Sequence, residues 1–403
     1  MVEKMHIEPL MFKIGASEMN DVATSSSAVV RSIKQHMFSP DARKKAPRFS
    51  PADVAGLCGK TYQQMYGPLK KMADSGIVGE KVGNRLTYSL PETRKIIKSA
   101  RVNKNAVEKS FAVTIAIANF KGGVTKTTTA ATLAQGLSLR GLEVLIIDLD
   151  PQGSLTNLFG LLSDLDVDSS QTVFSVYSGD ETSIDPAITP TYWDGIDLVA
   201  ASPDLHNAEF ILPARQRTQK GFEFWRVLDQ ALESARSKYD VIIIDTPPSL
   251  SYSTINGIMA ADGLIMPLPP SPLDFASSAQ FWSLCNDLIK KLTVDVNGSE
   301  KKFCFIDVLL TRVDKSIGVS NLVRDWIVGA YGSKVLPIEI PRTSTADTAS
   351  AAFGTVYDLH TNPSIAKTLK RARDAYDDFV LAIEKQIYGV WLGAQIKGEL
   401  NVK

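Results

Sequence analysis

Phe120-Lys121-Gly122-Gly123-Val124-Thr125-Lys126-Thr127-Thr128-Thr129 is the stretch on which the reading of this chain turns. An apolar run, Phe111 to Ala118, leads into it, and a run of helical character, Ala130 to Leu139, leads out. Strand, glycine turn and helix start are the context that a phosphate-binding loop requires. Gly122 and Gly123 let the backbone bend so that successive N–H groups converge on an anion. The following helix adds its positive N-terminal end. In this arrangement residues 122 to 128 wrap the phosphates, Lys126 reaches the β- and γ-phosphates, and the Thr127 hydroxyl ligates Mg²⁺.

Two further segments fit the same site. Val144 to Gly153 reads V-L-I-I-D-L-D-P-Q-G, a continuous apolar run that ends in Asp148 and Asp150. Such runs are buried parallel strands, and ligands bind at the carboxyl ends of strands in open α/β sheets. Tyr239 to Pro248 reads Y-D-V-I-I-I-D-T-P-P, a second β-branched run that ends in Asp245. Asp245 is placed to hold Mg²⁺ directly or through water. Thr246, Pro247 and Pro248 then form a stiff loop beside the γ-phosphate, able to pass a small shift to a longer segment. Phe303 to Leu310 and Lys334 to Ile338 read as late strands, followed by Thr311-Arg312 and Pro341-Arg342.

The loop lacks the glycine that the general G-x-x-x-x-G-K-[ST] pattern puts before its lysine, and it opens on a second lysine, Lys121. The form K-G-G-x-x-K-[ST] resembles the deviant Walker A motif of the ParA/MinD branch of phosphate-loop ATPases, with Thr125 where that family commonly has Gly. The resemblance covers about residues 111–390. It implies an α/β fold, a mostly parallel sheet flanked by helices. It also implies ATP/ADP and Mg²⁺ as ligands, and a homodimer in which Lys121 crosses to the partner's phosphates. Of the catalytic residues implied, Lys121 and Lys126 act on the phosphates, and Asp150 orients the attacking water. Asp148 would support the Mg²⁺ shell that Thr127 and Asp245 build. Thr311, Arg312 and Pro341 fall where the family forms its adenine pocket.

Lysine plus arginine and aspartate plus glutamate balance at 44 each. The balance hides an asymmetry: residues 1–110 hold 19 basic and 10 acidic residues, so the remainder is as acidic as this part is basic. A basic first part on an acidic remainder points to a nucleic-acid contact in the first part. Cys58, Cys285 and Cys304 are scattered, and the four histidines do not cluster. This pattern suggests neither a disulfide framework nor a metal site, and it fits a reducing cytoplasm. No apolar run reaches the length of a membrane span, and Met1 to Leu10 is too polar for a signal peptide.

Three domains are expected: residues 1–45, a dimerising helix; 46–105, a DNA-binding module; and 106–403, the ATPase domain with its C-terminal helices. In the first, Val22, Val29, Val30, Ile33 and Met37 roughly follow a helical stripe. In the second, Ser50-Pro51 starts a helix. Thr61 to Ser75 follows with Met65, Leu69 and Met72 at helical spacing, and Glu80 to Leu90 turns as a hairpin at Gly83-Asn84. The order resembles a winged helix-turn-helix. That resemblance offers Tyr62, Gln63, Gln64, Lys70 and Lys71 to a major groove and Lys81 and Arg85 to phosphates. Pro68 predicts a kink or break in the second helix. Pro91 to Ser110 reads as a basic, partly helical connector. Pro363 opens a long helix to about Ile387, with Ile365, Leu369, Ala372 and Tyr376 on its apolar face, and Ile383 to Lys397 reads as a frayed packing helix. By resemblance, Arg342, Lys367, Lys370, Arg371 and Arg373 carry non-specific DNA binding.

The function expected from these features is ATP-dependent DNA partition by a cytoplasmic, nucleoid-associated protein. A ParB-type centromere-binding partner would stimulate hydrolysis, and operator DNA bound by the N-terminal module would make the chain an autorepressor. A MinD-like membrane-site selector is the alternative. It predicts a basic amphipathic terminal helix and no DNA-binding extension, the reverse of what is written here, so no membrane contact is expected. An iron–sulfur reductase needs paired cluster cysteines, and a pure transcription factor would be expected to lose Lys126, Asp150 or Asp245.

Overall fold

The structure, a computed structural model, describes residues 15–37, 44–101, 107–297, 300–343, 354–359 and 366–401. Met1–Lys44 is one compact unit and Lys45–Lys403 another. Of the first, the helix Ala16–Met37 is described. Its hydroxyl residues bond locally: the Thr24 and Ser26 hydroxyls donate to the Asn20 and Val22 carbonyls one turn back. Met19, Val22 and Val29 are exposed on it. The side chains of Val30, Ile33 and Met37 lie outside the described residues.

The second unit starts with two short capped helices. Ser50 and Asp53 form a reciprocal capping box on Pro51–Leu57, and Thr61 and Gln64 form another on Tyr62–Asp74. The hairpin of β1 (Glu80–Val82) and β2 (Arg85–Thr87) turns where expected, with Val82 opposite Arg85. The expected break at Pro68 is absent, and Tyr62–Asp74 is one helix with Pro68 inside it. Gln64 and Pro68 are both exposed, so the Gln64 carbonyl that Pro68 leaves without an N–H partner faces water. Val54, Ala55, Met65, Leu69, Tyr88 and Ile96 make a small core of their own.

The connector expected at 91–110 is largely the helix Leu90–Arg101, and it fastens this module to the rest. Arg94 is buried and donates to the Ser138 and Leu142 carbonyls and to Asp194. Arg101 and Arg140 share the buried Glu384, each at 2.5–2.6 Å. Residues 102–106 lie outside the described residues.

Eight strands form the main sheet: β3 (Val113–Ile117), β4 (Val144–Asp148), β5 (Thr189–Pro190), β6 (Ile196–Val199), β7 (Val241–Asp245), β8 (Gly263–Leu268), β9 (Phe305–Val313) and β10 (Val335–Pro341). Their order is β10-β9-β8-β3-β7-β4-β6-β5. All neighbours are parallel except β5 with β6. The central strands β3, β4 and β7 are buried end to end, because a parallel sheet needs helices on both faces. The late strands run further than expected, so Thr311 and Arg312 lie at the end of β9, just before Val313, and Pro341 ends β10.

One face is covered by the helix Lys126–Leu139 and the terminal helix Ala366–Asn401. The terminal helix runs unbroken through Gly389 and Gly393, not as the two pieces expected, and Pro363 to Ile365 lie outside the described residues. Leu369, Tyr376, Ile383, Ile387 and Trp391 are buried along it, and Trp391 donates its ring N–H to the Phe111 carbonyl at 2.7 Å. This packing holds the helix down past the glycines.

The two helices touch at Gly136, where an added Cβ would come 2.4 Å from Val380 Cγ2. Alanine gains about 1 kcal/mol over glycine in a helix interior, but overpacking a buried contact costs about 1–3 kcal/mol. Gly136→Ala therefore lowers unfolding free energy by about 1 kcal/mol in urea titration, and Val380→Ala in the same chain recovers part of the loss.

Candidate phosphate and cation site

The carboxyl ends of β3, β7 and β4 lie side by side in register, Ile117 with Asp245 and Asp245 with Asp148. The loop after β3 therefore opens beside Asp245, with Asp148 one strand further on. Gly123 has φ 75 and Thr125 has φ 71, the left-handed turns that point consecutive amides inward ahead of the helix at Lys126. Thr125 adopts this conformation as a β-branched residue, where strain is real, and its Oγ1 is buried without a hydrogen-bond partner. Thr311 Oγ1 donates to Val124 O at 3.4 Å, and Arg312 donates to Gly123 O at 3.3 Å. These two residues thus brace the loop.

Both loop lysines are engaged with their own chain. Lys126 is buried, and its Nζ donates to the Lys121 carbonyl at 2.9 Å. Burial lowers its pKa, while Asp245 and Asp150 pull it back up. Lys121 Nζ sits 2.5 Å from Asp274 Oδ1, and its amide N–H donates to Asn119 Oδ1.

Asp245 and Asp148 are both fully buried and differ in what they touch. Among the described residues, neither carboxylate oxygen of Asp245 has a hydrogen-bond partner at good geometry. Burial first, then the charge of Asp148, push its pKa well above the usual carboxylate range, and the Thr127 hydroxyl and Lys126 oppose the shift. Asp148 accepts N–H and O–H from Thr156 at 2.9 and 2.8 Å and N–H from Asp150 at 3.1 Å. Burial still pushes its pKa up to about 7. The Asp148 oxygens are thus directed at Thr156 and at the amide of the Asp150 loop. Asp150 is half-buried on the following loop and accepts the Gln152 N–H at 3.0 Å. Thr246 Oγ1 donates to Ile117 O at 2.9 Å, and a Cβ on Gly122 would lie 3.9 Å from Pro248 Cβ. The Pro247-Pro248 loop therefore lies against the phosphate loop. Pro341, at the end of β10, pairs with Val313.

Of the DNA candidates, Tyr62, Gln63, Lys70, Lys71, Lys81, Arg85, Arg342, Lys367, Lys370 and Arg371 are exposed. Gln64 is exposed too, but its Oε1 accepts the Thr61 N–H as part of the cap. Arg373 leaves the expected basic face: it donates to the Val356 and Leu359 carbonyls at 2.9 and 2.5 Å and is only half-exposed. Asn119, Thr156 and Asp274 were not singled out from sequence. Only Ser271-x-x-Asp274 carried a signal, that of a capping box. Among the described residues no helix is long and apolar enough to cross a membrane.

The family described as "AAA domain" matches residues 112–297. The chromosome partitioning protein ParA of Caulobacter vibrioides (strain NA1000 / CB15N) is 34% identical over 267 residues, covering 64% of this chain and 92% of the relative. A solved "Partition Protein" superposes with a TM-score of 0.64 over 93% of this chain and 98% of its own, at 19% identity. The cobyrinic acid a,c-diamide synthase of Mycobacterium smegmatis, solved with a bound ATP analogue and magnesium, matches at 31% identity and TM-score 0.53, covering 68% of this chain and 94% of its own.

Left-handed strain at Thr125 is worth about 1–3 kcal/mol, against about 0.5–1 kcal/mol of added chain entropy for glycine. Thr125→Gly should raise the unfolding free energy by about 1 kcal/mol in urea. A decrease would show that Thr125 does not hold the left-handed turn.

Proposed function

This chain belongs to the ParA family of partition ATPases, and on that premise we propose that it binds and hydrolyses ATP with Mg²⁺ to segregate a plasmid or chromosome. The observation that carries the reading is Asp245. Its two oxygens are buried and unpartnered, beside Lys126 and Thr127 and at the end of the strand next to the phosphate loop. A buried carboxylate without partners is costly, and a hydrated cation with phosphates is the group of the right charge to complete it. The M. smegmatis relative, with its ATP analogue and magnesium, supports the same assignment.

In this proposal Thr127 and Asp245 hold Mg²⁺, which when bound neutralises charge on the β- and γ-phosphate oxygens. The amides of residues 122 to 128 orient the phosphates. Lys126 turns from the Lys121 carbonyl to the phosphates, a small rotation for a side chain already buried at the site. Asp148 holds the Asp150 loop through its amide. Asp150 orients the attacking water, and Pro247-Pro248 relays the presence of the γ-phosphate. Thr311, Arg312 and Pro341 stand on the adenine side.

Lys121 crosses to the partner protomer's phosphates and couples ATP to a face-to-face homodimer. That dimer binds non-specific DNA through Arg342, Lys367, Lys370 and Arg371, which remain exposed, whereas Arg373 positions the 354–359 loop. A ParB-type partner accelerates the slow intrinsic hydrolysis. The N-terminal module reads operator DNA as a winged helix-turn-helix through the exposed Tyr62, Gln63, Lys70 and Lys71, with Lys81 and Arg85 on phosphates, and so represses the chain's own operon.

Calorimetry tests the loop: Lys126→Ala should lose ATP affinity by at least about a hundredfold, since it removes a charge-assisted contact and leaves a buried carboxylate unopposed. ATP affinity at the parent level would refute the assignment. Asp150→Ala should bind ATP with parent affinity and hydrolyse it at least about a hundredfold more slowly. Parent turnover in that variant would move the water-orienting role elsewhere.

A further inference from the structure

We propose that Asp274 is a positioning residue that holds Lys121 in cis in the nucleotide-free chain and must release it before two chains close around ATP. This rests on the reading of Lys121 as the lysine that crosses between protomers.

Lys121 is fixed at three points. Its amide donates to Asn119 Oδ1 at 3.1 Å, its carbonyl accepts Lys126 Nζ at 2.9 Å, and its ammonium meets Asp274 Oδ1 at 2.5 Å. Asp274 is fixed in turn. It stands in the first turn of the helix Pro272–Asn297, where the helix dipole favours a carboxylate. Ser271 Oγ contacts the carboxylate and accepts the Asp274 N–H at 3.3 Å. The Asp274 side chain is 13% accessible and that of Lys121 35%, so the pair is partly shielded from water but within reach of an incoming group.

The two engagements exclude each other. One ammonium on a four-carbon stem cannot keep a carboxylate at 2.5 Å in its own chain and also meet a phosphate in the facing chain. The Lys126 contact makes the exchange concerted, because Lys126 leaves the Lys121 carbonyl when the phosphates arrive. Nucleotide binding thus loosens one of the three points, and the Asp274 pair remains as the barrier to the crossing. A partly exposed ion pair shifts an equilibrium about two- to fivefold. Two such pairs open for each dimer, so the association constant carries the square, about four- to twenty-five-fold. ADP, with no γ-phosphate to receive Lys121, gains nothing from the release.

The test is light scattering of the full chain over a dilution series without nucleotide, with ADP and with a slowly hydrolysed ATP analogue. Asp274→Asn keeps the helix cap and the side-chain shape and removes the charge. It should raise analogue-dependent association about four- to twenty-five-fold, leave the ADP series unchanged and keep the thermal midpoint within a few degrees. Asp274→Glu, which restores a carboxylate, should fall back toward the parent. In a Lys121→Ala chain, Asp274→Asn should add nothing. Unchanged or weaker analogue-dependent association in a folded Asp274→Asn chain would overturn the latch alone. Parent-level association of Lys121→Ala itself would overturn the crossing lysine and the latch with it.

Discussion

The site is organised around a buried carboxylate that, among the described residues, has no hydrogen-bond partner at good geometry. Asp245 sits at the end of a fully buried strand, with Asp148 beside it on one neighbour and the phosphate-loop strand on the other. Burial and like charge raise its pKa, and the Thr127 hydroxyl and Lys126 oppose them. Such a site persists because the surrounding parallel strands cannot relax: each is covered on both faces and hydrogen-bonded on both edges. The rigidity of the sheet centre is therefore the condition for an incomplete electrostatic site at its edge, and that incompleteness is what selects a cation and phosphates.

The opposite end of the phosphate-loop helix is as heavily tied as its start is open. Arg94 closes on the Ser138 and Leu142 carbonyls, where the helix ends, and Glu384 joins Arg101 of the N-terminal module to Arg140. Cations on the last carbonyls of a helix are favourable. Here the arginines come from an element that belongs to the N-terminal module. The terminal helix closes the same end through Val380 against Gly136 and through Glu384. One helix thus has its N-terminus at the phosphate site and its C-terminus gripped by the N-terminal module and the last helix of the chain.

Much of this was legible because strong local signals and the fold agree. Three apolar runs leading into a glycine loop or an acid became three adjacent strands, the hairpin turned at Gly83-Asn84, and a helix started after Ser50. The misreadings occurred where a local rule met a tertiary contact. Pro68 was expected to kink or break a helix, but Tyr62–Asp74 continues through it, with Pro68 and Gln64 both exposed. Ile383 to Lys397 was expected to pack with a frayed end, and it packs, but as the unbroken continuation of one helix on which Ile387 and Trp391 are buried. Arg373 was counted with its exposed neighbours, but two backbone carbonyls turn it inward. Asp148 and Asp245 end similar runs, and their different hydrogen bonding depends on Thr156, which no spacing rule connects to either.

By itself the sequence determined the phosphate loop, the strands that carry its acids, the parallel α/β class and the helix–helix–hairpin order of the N-terminal module. Each is written in contiguous residues whose periodicity or backbone freedom acts locally. Only the tertiary structure decided which carboxylate is left without a partner, what holds Lys121, and which arginines are free. Those outcomes depend on distances between side chains far apart in the chain, and such distances are set by how the sheet and its covering helices pack.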